Sequence, residues 1–349
     1  MQLRLPVAAG TVTLTVFLAA AILFPKTTSE VLRDSAFDIE LACDQWLRRP
    51  APSDLKVIVV DIDRASIDAL GTWPWPRETM ARLVEAVATG RPAAIAIDVL
   101  FAEPDDRSPA ALARQLGSVT GRAEISTLGE SLPDGDKRLA RAIGSVPVAL
   151  GFVLDPDRDG TLPAAAIASR GSLPFDDLWQ ARGAIGPTLP LAAAASGFGA
   201  LSLPGSADGA IRQVPVFIAA GHVLMPGLAA EALRLASGAS SYLVEGEPAT
   251  LVVGSRRVAL SRDALLRLVP VAAWRRVART LSAVDVLEGR VDGGRLAGAL
   301  VLLGGSAPEL RGATLVLPTA IDKTNSPTHR PLPKKAVNAP MQHRNPHSV

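Results

Sequence analysis

Two aspartates and one arginine in the first third of the chain have the residue types and spacing to share a site. Asp61 follows an apolar run that begins at Val57, Asp98 follows a second apolar run, and Arg77 lies between them. Carboxylates placed together can serve as acid and base, bind a cation, or hold an arginine in an ion pair. They can also accept hydrogen bonds from loop amides or a helix N-terminus. The residues leave three interpretations open: a structural role, a ligand pocket and catalysis.

A tryptophan pair lies between the two aspartates, in the sequence Trp-Pro-Trp-Pro at residues 73–76. Each proline fixes its own φ and restricts the residue before it, so the two indole rings are held rigidly. They could line a pocket, or they could lock the loop onto a sheet edge. Trp73 and Trp75 therefore join the candidates for ligand contact.

The elements that must position these residues are two strands with a helix between them. KVIVVDID (residues 56–63) and AAIAIDVLF (93–101) have the continuous apolar character of buried parallel strands. RETMARLVEAVA (77–88) places apolar residues on one helical face. A strand, a helix and a strand imply a right-handed crossover and a parallel pair. We expect the two strands to be adjacent, which would bring Asp61 and Asp98 to the carboxyl edge where ligands bind in open α/β sheets.

The rest of the chain predicts further α/β units and one antiparallel insert. Asp208-Gly209 is typical of a hairpin turn and indicates the insert. Long loops rich in Gly, Ser and Pro are expected at 104–133 and 155–190. The predicted fold class is α/β, with a mostly parallel sheet, crossover helices and the antiparallel insert, preceded by one transmembrane helix.

An uncharged apolar stretch near the N-terminus predicts that helix. Residues 5–24 would span about 30 Å as a helix, the thickness of a bilayer core. Arg4 precedes the stretch, so the positive-inside rule favours a cytoplasmic N-terminus, although Lys26 on the other side weakens this bias. A cleaved signal peptide is the alternative. We expect an uncleaved single-pass anchor in the inner (plasma) membrane, with the main domain extracytoplasmic, in the periplasm.

Composition limits the chemistry that the chain can perform. The 349 residues have a formal net charge of +2, which is too small to indicate a nucleic-acid footprint. Cys43 is the only cysteine, so no intrachain disulfide or cysteine-based zinc site can form. The common signatures of P-loops, kinases, zinc proteases and serine hydrolases are absent from the sequence. We predict no cofactor, no metal and no nucleic-acid partner.

An enzymatic alternative comes from the Asp-x-Asp pattern at residues 61–63. It resembles the strand-end motif of haloacid-dehalogenase-type phosphatases, in which the first Asp would be the nucleophile and the second the acid/base. Lys137 and the pair Asp155 and Asp157 match two further roles of that family only loosely, and the second strand ends on Asp98 where the family has Ser or Thr. The alternative function is an exported phosphatase-type hydrolase.

Seven stretches of the chain, taken together, resemble the CHASE type 2 extracellular sensor domain. The two most specific are VVDIDRASIDALGTWPWPR (59–77) and AAIAIDVLFAEPDD (93–106), and the others follow in the family's order. Asp61, Asp98 and Arg212 stand at positions typical of this domain. Arg212 is therefore added to the candidate ligand contacts on the strength of the resemblance.

The resemblance implies a non-enzymatic bacterial signal-input domain over residues 28–310 that binds a small-molecule or envelope ligand. Members of the family usually continue into transmembrane helices and a cytoplasmic cyclase or kinase, and such sensors often act as homodimers. Residues 311–349 depart from that pattern: they are proline-rich and lack apolar periodicity, which predicts disorder. We expect an atypical tail on a truncated or frame-shifted receptor, with a short stand-alone variant as the alternative.

Overall fold

A parallel β-sheet buried on both faces forms the centre of the fold. The computed structural model describes residues 36–39, 55–160, 162–171, 173, 175, 177–204, 211–246, 248–269, 271 and 273–307. The predicted membrane segment (5–24) and the predicted tail (311–349) lie outside these residues. Within the described ranges, no helix combines the length and the apolar character needed to cross a membrane.

The elements are numbered along the chain. The strands are β1 (Val57–Asp61), β2 (Ala94–Ile97), β3 (Val148–Asp155), β4 (Ile167–Arg170), β5 (Gln180–Ala181), β6 (Gly183–Ile185), β7 (Gly197–Ala200), β8 (Gln213–Pro215), β9 (Phe217–Ala220), β10 (Val223–Pro226), β11 (Tyr242–Glu245), β12 (Thr250–Val253), β13 (Arg256–Ala259), β14 (Leu265–Arg267), β15 (Thr280–Ser282) and β16 (Leu300–Gly304). The helices are α1 (Arg64–Leu70), α2 (Arg77–Thr89), α3 (Pro109–Thr120), α4 (Ala123–Ser131), α5 (Gly135–Ile143), α6 (Leu189–Ala194), α7 (Leu228–Ala236), α8 (Ala273–Arg279) and α9 (Ala283–Leu287), with a 3-10 turn at Gly293–Arg295.

The central sheet has the order β15-β1-β16-β2-β3, and β7 and β6 both pair with β3. Its strands are parallel except for β6, which is antiparallel to β3. The prediction that β1 and β2 are adjacent is wrong, because β16 lies between them. The sequence of β16, LVLLG, is apolar throughout, which suits a central position that is buried on both faces.

The two faces of this sheet are covered by different helices. Alternate strand residues such as Val60, Ile97 and Leu150 pack with the buried faces of α2 and α5. On the opposite face, Ala96 and Ala149 pack with α7. Side chains that alternate between two apolar layers are what a doubly covered parallel sheet requires.

A second, smaller core lies among the remaining strands. The sheets β13-β12-β11-β4 and β10-β9-β5 surround buried residues that include Phe217, Tyr242 and Leu251. The rings of Phe217 and Tyr242 meet edge to face, with centroids 5.3 Å apart. Most of the pairing here is antiparallel, so the predicted mixture of a parallel sheet with an antiparallel insert is confirmed.

Two local predictions are wrong. The strands that flank Asp208-Gly209 do not form a hairpin with each other, because β7 joins β3 and β8 joins β14; the turn itself lies outside the described residues. The stretch 104–133 is not a long loop but contains α3 and α4. Helix α3 begins where the Ser108 side chain accepts a hydrogen bond from the Ala111 amide.

Candidate functional site

The carboxyl ends of β1, β16 and β2 form the edge at which the predicted site residues meet. Asp61 ends β1 in register with Gly304 of β16, and Asp98 directly follows β2. Because β16 separates the two outer strands, which at strand spacing puts them about 10 Å apart, the aspartates do not form a carboxylate pair. Asp61 and Asp98 therefore cannot share a proton, and each has different neighbours.

A cavity of about 240 Å³ opens beside Asp98 at this edge. The Trp-Pro-Trp loop, the start of α2, the segment after β2 and the residue after β16 all contribute to it. Its lining residues are Trp73, Pro74, Trp75, Arg77, Met80, Asp98, Val99, Leu100, Phe101 and Gly305. Four of the six predicted contacts are thus brought together, while Asp61 and Arg212 do not line the cavity.

Arg77 forms one wall of the cavity and is held from three sides. Its Nε donates to a carboxylate oxygen of Asp136 on α5 at 3.2 Å, and its Nη2 donates to the Glu103 carbonyl at 2.8 Å. Its guanidinium also stacks 4.5 Å from the centre of the Phe101 ring. Asp136 accepts in addition from the Asp105 amide. The Arg77 charge is therefore balanced within the protein, and the residue ties the cavity to α5.

Asp98 is the second charged residue of the cavity and has no such balance. Among the described residues, none donates a hydrogen bond to its carboxylate or forms an ion pair with it. The residue is exposed through the cavity mouth, yet the protein packed around it removes part of its hydration, and this desolvation raises the pKa of the Asp98 carboxyl. Exposure and desolvation of Asp98 are compatible, because a side chain in a concave site is accessible to water from one side only.

The space for Asp98 depends on glycine at the neighbouring strand end. A Cβ added to Gly304 would lie 3.2 Å from the Asp98 Cβ, closer than ordinary carbon contacts. The glycine of β16 therefore allows the carboxylate to stay at the cavity.

The two tryptophans have different roles. Trp75 is almost fully buried, belongs to the main core and donates from its indole nitrogen to the Gly71 carbonyl at 2.9 Å. Trp73 is only partly buried and meets Trp75 edge to face, with centroids 5.8 Å apart. Packing and pocket lining were alternatives in the sequence. In the structure both tryptophans line the cavity, but Trp75 also anchors the loop in the core, and Trp73 is the more exposed of the two.

A comparison with protein-family models matches residues 13–338 to the CHASE2 domain. The chain belongs to the CHASE2 domain family. Members of this family are sensory rather than catalytic, so the chain is a signal-sensing domain. Comparisons with curated proteins and with solved structures give no match.

Outside the cavity of this CHASE2 domain, Asp61 has a structural partner. Its carboxylate accepts from the amide and the hydroxyl of Ser306, at 2.8 and 2.6 Å. These bonds fasten the chain after β16 to the end of β1. The structure thus gives Asp61 a structural contact.

Asp63 is engaged in the same way, which argues against the phosphatase alternative. Its carboxylate caps α1, accepting from the amide and the hydroxyl of Ser66 and from the hydroxyl of Ser282. Partial burial works to raise its pKa, but these hydrogen bonds outweigh it and lower the pKa of Asp63 below the ordinary value. A catalytic acid needs a shift in the opposite direction. Within the described ranges, no cluster of three or more His, Cys, Asp or Glu residues is arranged to hold a metal ion.

Arg212 lies away from the cavity, immediately before β8. It forms an ion pair with Asp38, with Nη2 and a carboxylate oxygen 2.9 Å apart, and both side chains are largely buried. The pair ties the described N-terminal helical residues to the antiparallel part of the CHASE2 domain. The structure thus gives Arg212 a structural contact.

Sequence reasoning missed three residues that shape the cavity: Phe101, Asp136 and Gly304. Phe101 lies three residues after Asp98, and its aromatic type within an otherwise aliphatic run was an available clue. Asp136 could be found only by folding, since it is far from Arg77 in sequence and meets it because α2 and α5 pack together.

A buried polar cluster lies elsewhere in the domain. Glu231 of α7 accepts from both Arg234 and the Tyr242 hydroxyl, and its side chain is only 3% exposed. Gly197 leaves room for it, because an added Cβ would collide with the Glu231 carboxylate. Burial and the neighbouring Glu231 charge raise the pKa of Tyr242 far above its ordinary value, so its hydroxyl stays a donor. The cluster joins α7, on the main sheet, to β11 of the second core.

Proposed function

We propose that this CHASE2 domain is the membrane-anchored, extracytoplasmic sensor of a bacterial receptor and that it binds a small ligand in the cavity beside Trp73 and Asp98. The observation that carries the proposal is that cavity, at the carboxyl edge of the parallel sheet. Ligands of open α/β sheets bind at this edge, and the cavity combines aromatic side chains with a few charged groups, which are features of small-molecule sites.

The contacts of Arg77 suggest how occupancy would be transmitted. Arg77 is in the cavity wall, begins α2, and reaches Asp136 on α5 and the carbonyl of Glu103. A ligand that moves this side chain would change the relative positions of three elements at once. A ligand can shift such an equilibrium only through contacts that differ between two states, and the Arg77 network offers them. In receptors of this family, the output would be the cyclase or kinase that the resemblance implies.

The location follows from residues 5–24, which would anchor the chain with its N-terminus in the cytoplasm. Cys43 provides a direct test, because it is the only cysteine and lies beyond the proposed anchor. In spheroplasts that express the full chain, a membrane-impermeant maleimide should label Cys43 without permeabilisation. Labelling only after permeabilisation would refute the location, and labelling of the denatured chain is the control for thiol reactivity.

The binding site is tested by a thermal-shift screen of the full chain against small molecules. Compounds that raise the melting temperature should lose their effect in Trp73→Ala. They should keep it in Trp274→Ala, a matched change at a tryptophan that is 68% exposed and outside the cavity. Shifts that are equal in both variants would place binding elsewhere.

A homodimer is also proposed, and light scattering of the purified chain would detect it.

A further inference from the structure

We infer that the cavity takes a small organic cation, with its ammonium group between the Asp98 carboxylate and the Trp73 indole. This inference rests on the proposed function and names the class of ligand for the same site. It follows from three observations: the charges that line the cavity, the partners of each charge, and the aromatic surface that is left free.

The charge balance of the cavity is negative once internal pairs are removed. Two charged side chains line it, Arg77 and Asp98. Arg77 is neutralised by Asp136, and both side chains of that pair are about 15% exposed or less. Asp98 has no hydrogen-bond donor or cation within the described part of the chain. A ligand therefore meets one uncompensated carboxylate.

A bound cation would also restore what Asp98 has lost. Protein around the carboxylate removes part of its hydration, which is why its pKa is raised. A carboxylate in such a position gains from a charged donor, because charge-assisted hydrogen bonds are stronger than those between neutral groups. Any ammonium group within the cavity supplies the opposite charge, and one that carries N–H bonds supplies the donors as well.

The aromatic surface has the matching preference. The electron-rich face of a tryptophan attracts cations more than those of the other aromatic residues do. Trp73 is the partly exposed ring of the cavity, whereas Trp75 is buried in the core and the Phe101 ring already carries the Arg77 guanidinium. A carboxylate and an indole that line one small cavity make a combination suited to an alkylammonium ion.

An anionic ligand fits the same residues poorly. It would need a free cation, but Arg77 is already bonded to Asp136 and to the Glu103 carbonyl. The Asp98 carboxylate, which lines the same cavity, would also repel an anion. The cavity volume of about 240 Å³ suits a molecule with a handful of heavy atoms.

The test compares probes that differ in charge and share a shape. Choline and tetramethylammonium, each as the chloride, are titrated into the full chain, with 3,3-dimethylbutan-1-ol as the uncharged isostere of choline. Binding is measured by calorimetry and by tryptophan fluorescence at constant ionic strength. Neither cation has an N–H, so the comparison isolates the charge and the cation–π contact. Both cations should bind about tenfold or more tightly than the alcohol.

Variants separate this inference from the proposed function. Asp98→Asn removes the charge that attracts the cation and should weaken cation binding about tenfold or more, and Trp73→Ala should weaken it about threefold to thirtyfold. Asp157→Asn, at an exposed aspartate outside the cavity, should leave it unchanged. Asp98→Glu, which keeps the charge, should retain part of the affinity.

Each other outcome is decisive. Cation binding that survives Asp98→Asn overturns the inference. Equal binding of choline and its alcohol, lost in Trp73→Ala, overturns the inference but leaves the proposed site standing. If neither choline nor tetramethylammonium binds, the inference is overturned. If the thermal-shift screen then also finds no compound that depends on Trp73, the proposed function falls with it.

Discussion

Breaking the buried ion pair of α7 gives the sharpest quantitative test of the structure. Arg234 and Glu231 approach to 2.6 Å, and their side chains are 14% and 3% exposed. Arg234→Ala would leave the Glu231 carboxylate buried with the Tyr242 hydroxyl as its remaining side-chain partner. Removal of one member of a buried pair costs about 3–5 kcal/mol, because the other charge stays desolvated.

The chain provides a matched control for this change. Arg290 and Asp285 approach to the same 2.6 Å, but their side chains are 51% and 44% exposed. Arg290→Ala removes the same residue type from a pair of the same length and should cost less than about 1 kcal/mol, since water and salt already screen exposed pairs. Each arginine has a further partner, the Ala239 carbonyl for Arg234 and the Glu288 carboxylate for Arg290, so the two variants compare a buried network with an exposed one.

The measurement is urea denaturation of the full chain followed by circular dichroism. With a slope of about 3 kcal/mol per M, Arg234→Ala should lower the midpoint by about 1 M or more, and Arg290→Ala by less than about 0.3 M. Equal midpoints for the two variants would refute the reasoning, because burial would then not determine the cost.

Three further predictions concern the carboxylate at the cavity, the tryptophan that anchors its loop, and the cap of α3. Asp98→Asn should raise the melting temperature at pH 7. Because the pKa of Asp98 is raised in the native state, the native state holds the carboxyl proton more tightly than the unfolded state does, and stability is lost as pH rises through that pKa. Asparagine does not titrate, so the variant avoids this loss. The gain in melting temperature should disappear below pH 3.8, the ordinary pKa of an aspartate. A gain of the same size at all pH values would contradict the raised pKa of Asp98. Trp75→Ala should cost about 3–5 kcal/mol of unfolding free energy, whereas Trp274→Ala should cost little, and similar losses in denaturation would be inconsistent with the burial of Trp75. Ser108→Ala should cost about 1 kcal/mol by removing the cap of α3, and no change in the denaturation midpoint would argue against the cap.

The parts of the fold that the sequence predicts well are those with a strong local pattern. The apolar runs before Asp61 and Asp98 are β1 and β2, and the periodic segment from Arg77 is α2. The pair α3 and α4 was missed although local clues were present: Ser108 precedes a proline at the first helical turn, and Gly121 ends the helix with φ near +68°.

What could not be read from local pattern is the order of strands. No feature of β1 or β2 indicates that the last described strand, β16, inserts between them, because this depends on which apolar strand packs best in the centre. The same limit applies to the site. Asp61 and Asp98 stand at equivalent strand ends, but the chain after β16 turns towards β1, where the Ala307 amide donates to the Ile62 carbonyl and Ser306 donates to Asp61. One aspartate became structural and the other was left at the cavity for a reason far away in sequence.

The central claim is that this sensor domain binds its ligand at the carboxyl edge of the sheet, and hydrogen exchange tests it most directly. Exchange of the full chain is compared with and without the compound that gives the largest thermal shift. Peptides that cover residues 73–77 and 98–101 should become protected, with a smaller effect around Asp136 on α5 through the Arg77 ion pair. Protection confined to the second core around Phe217 and Tyr242, with none at the cavity, would contradict the account.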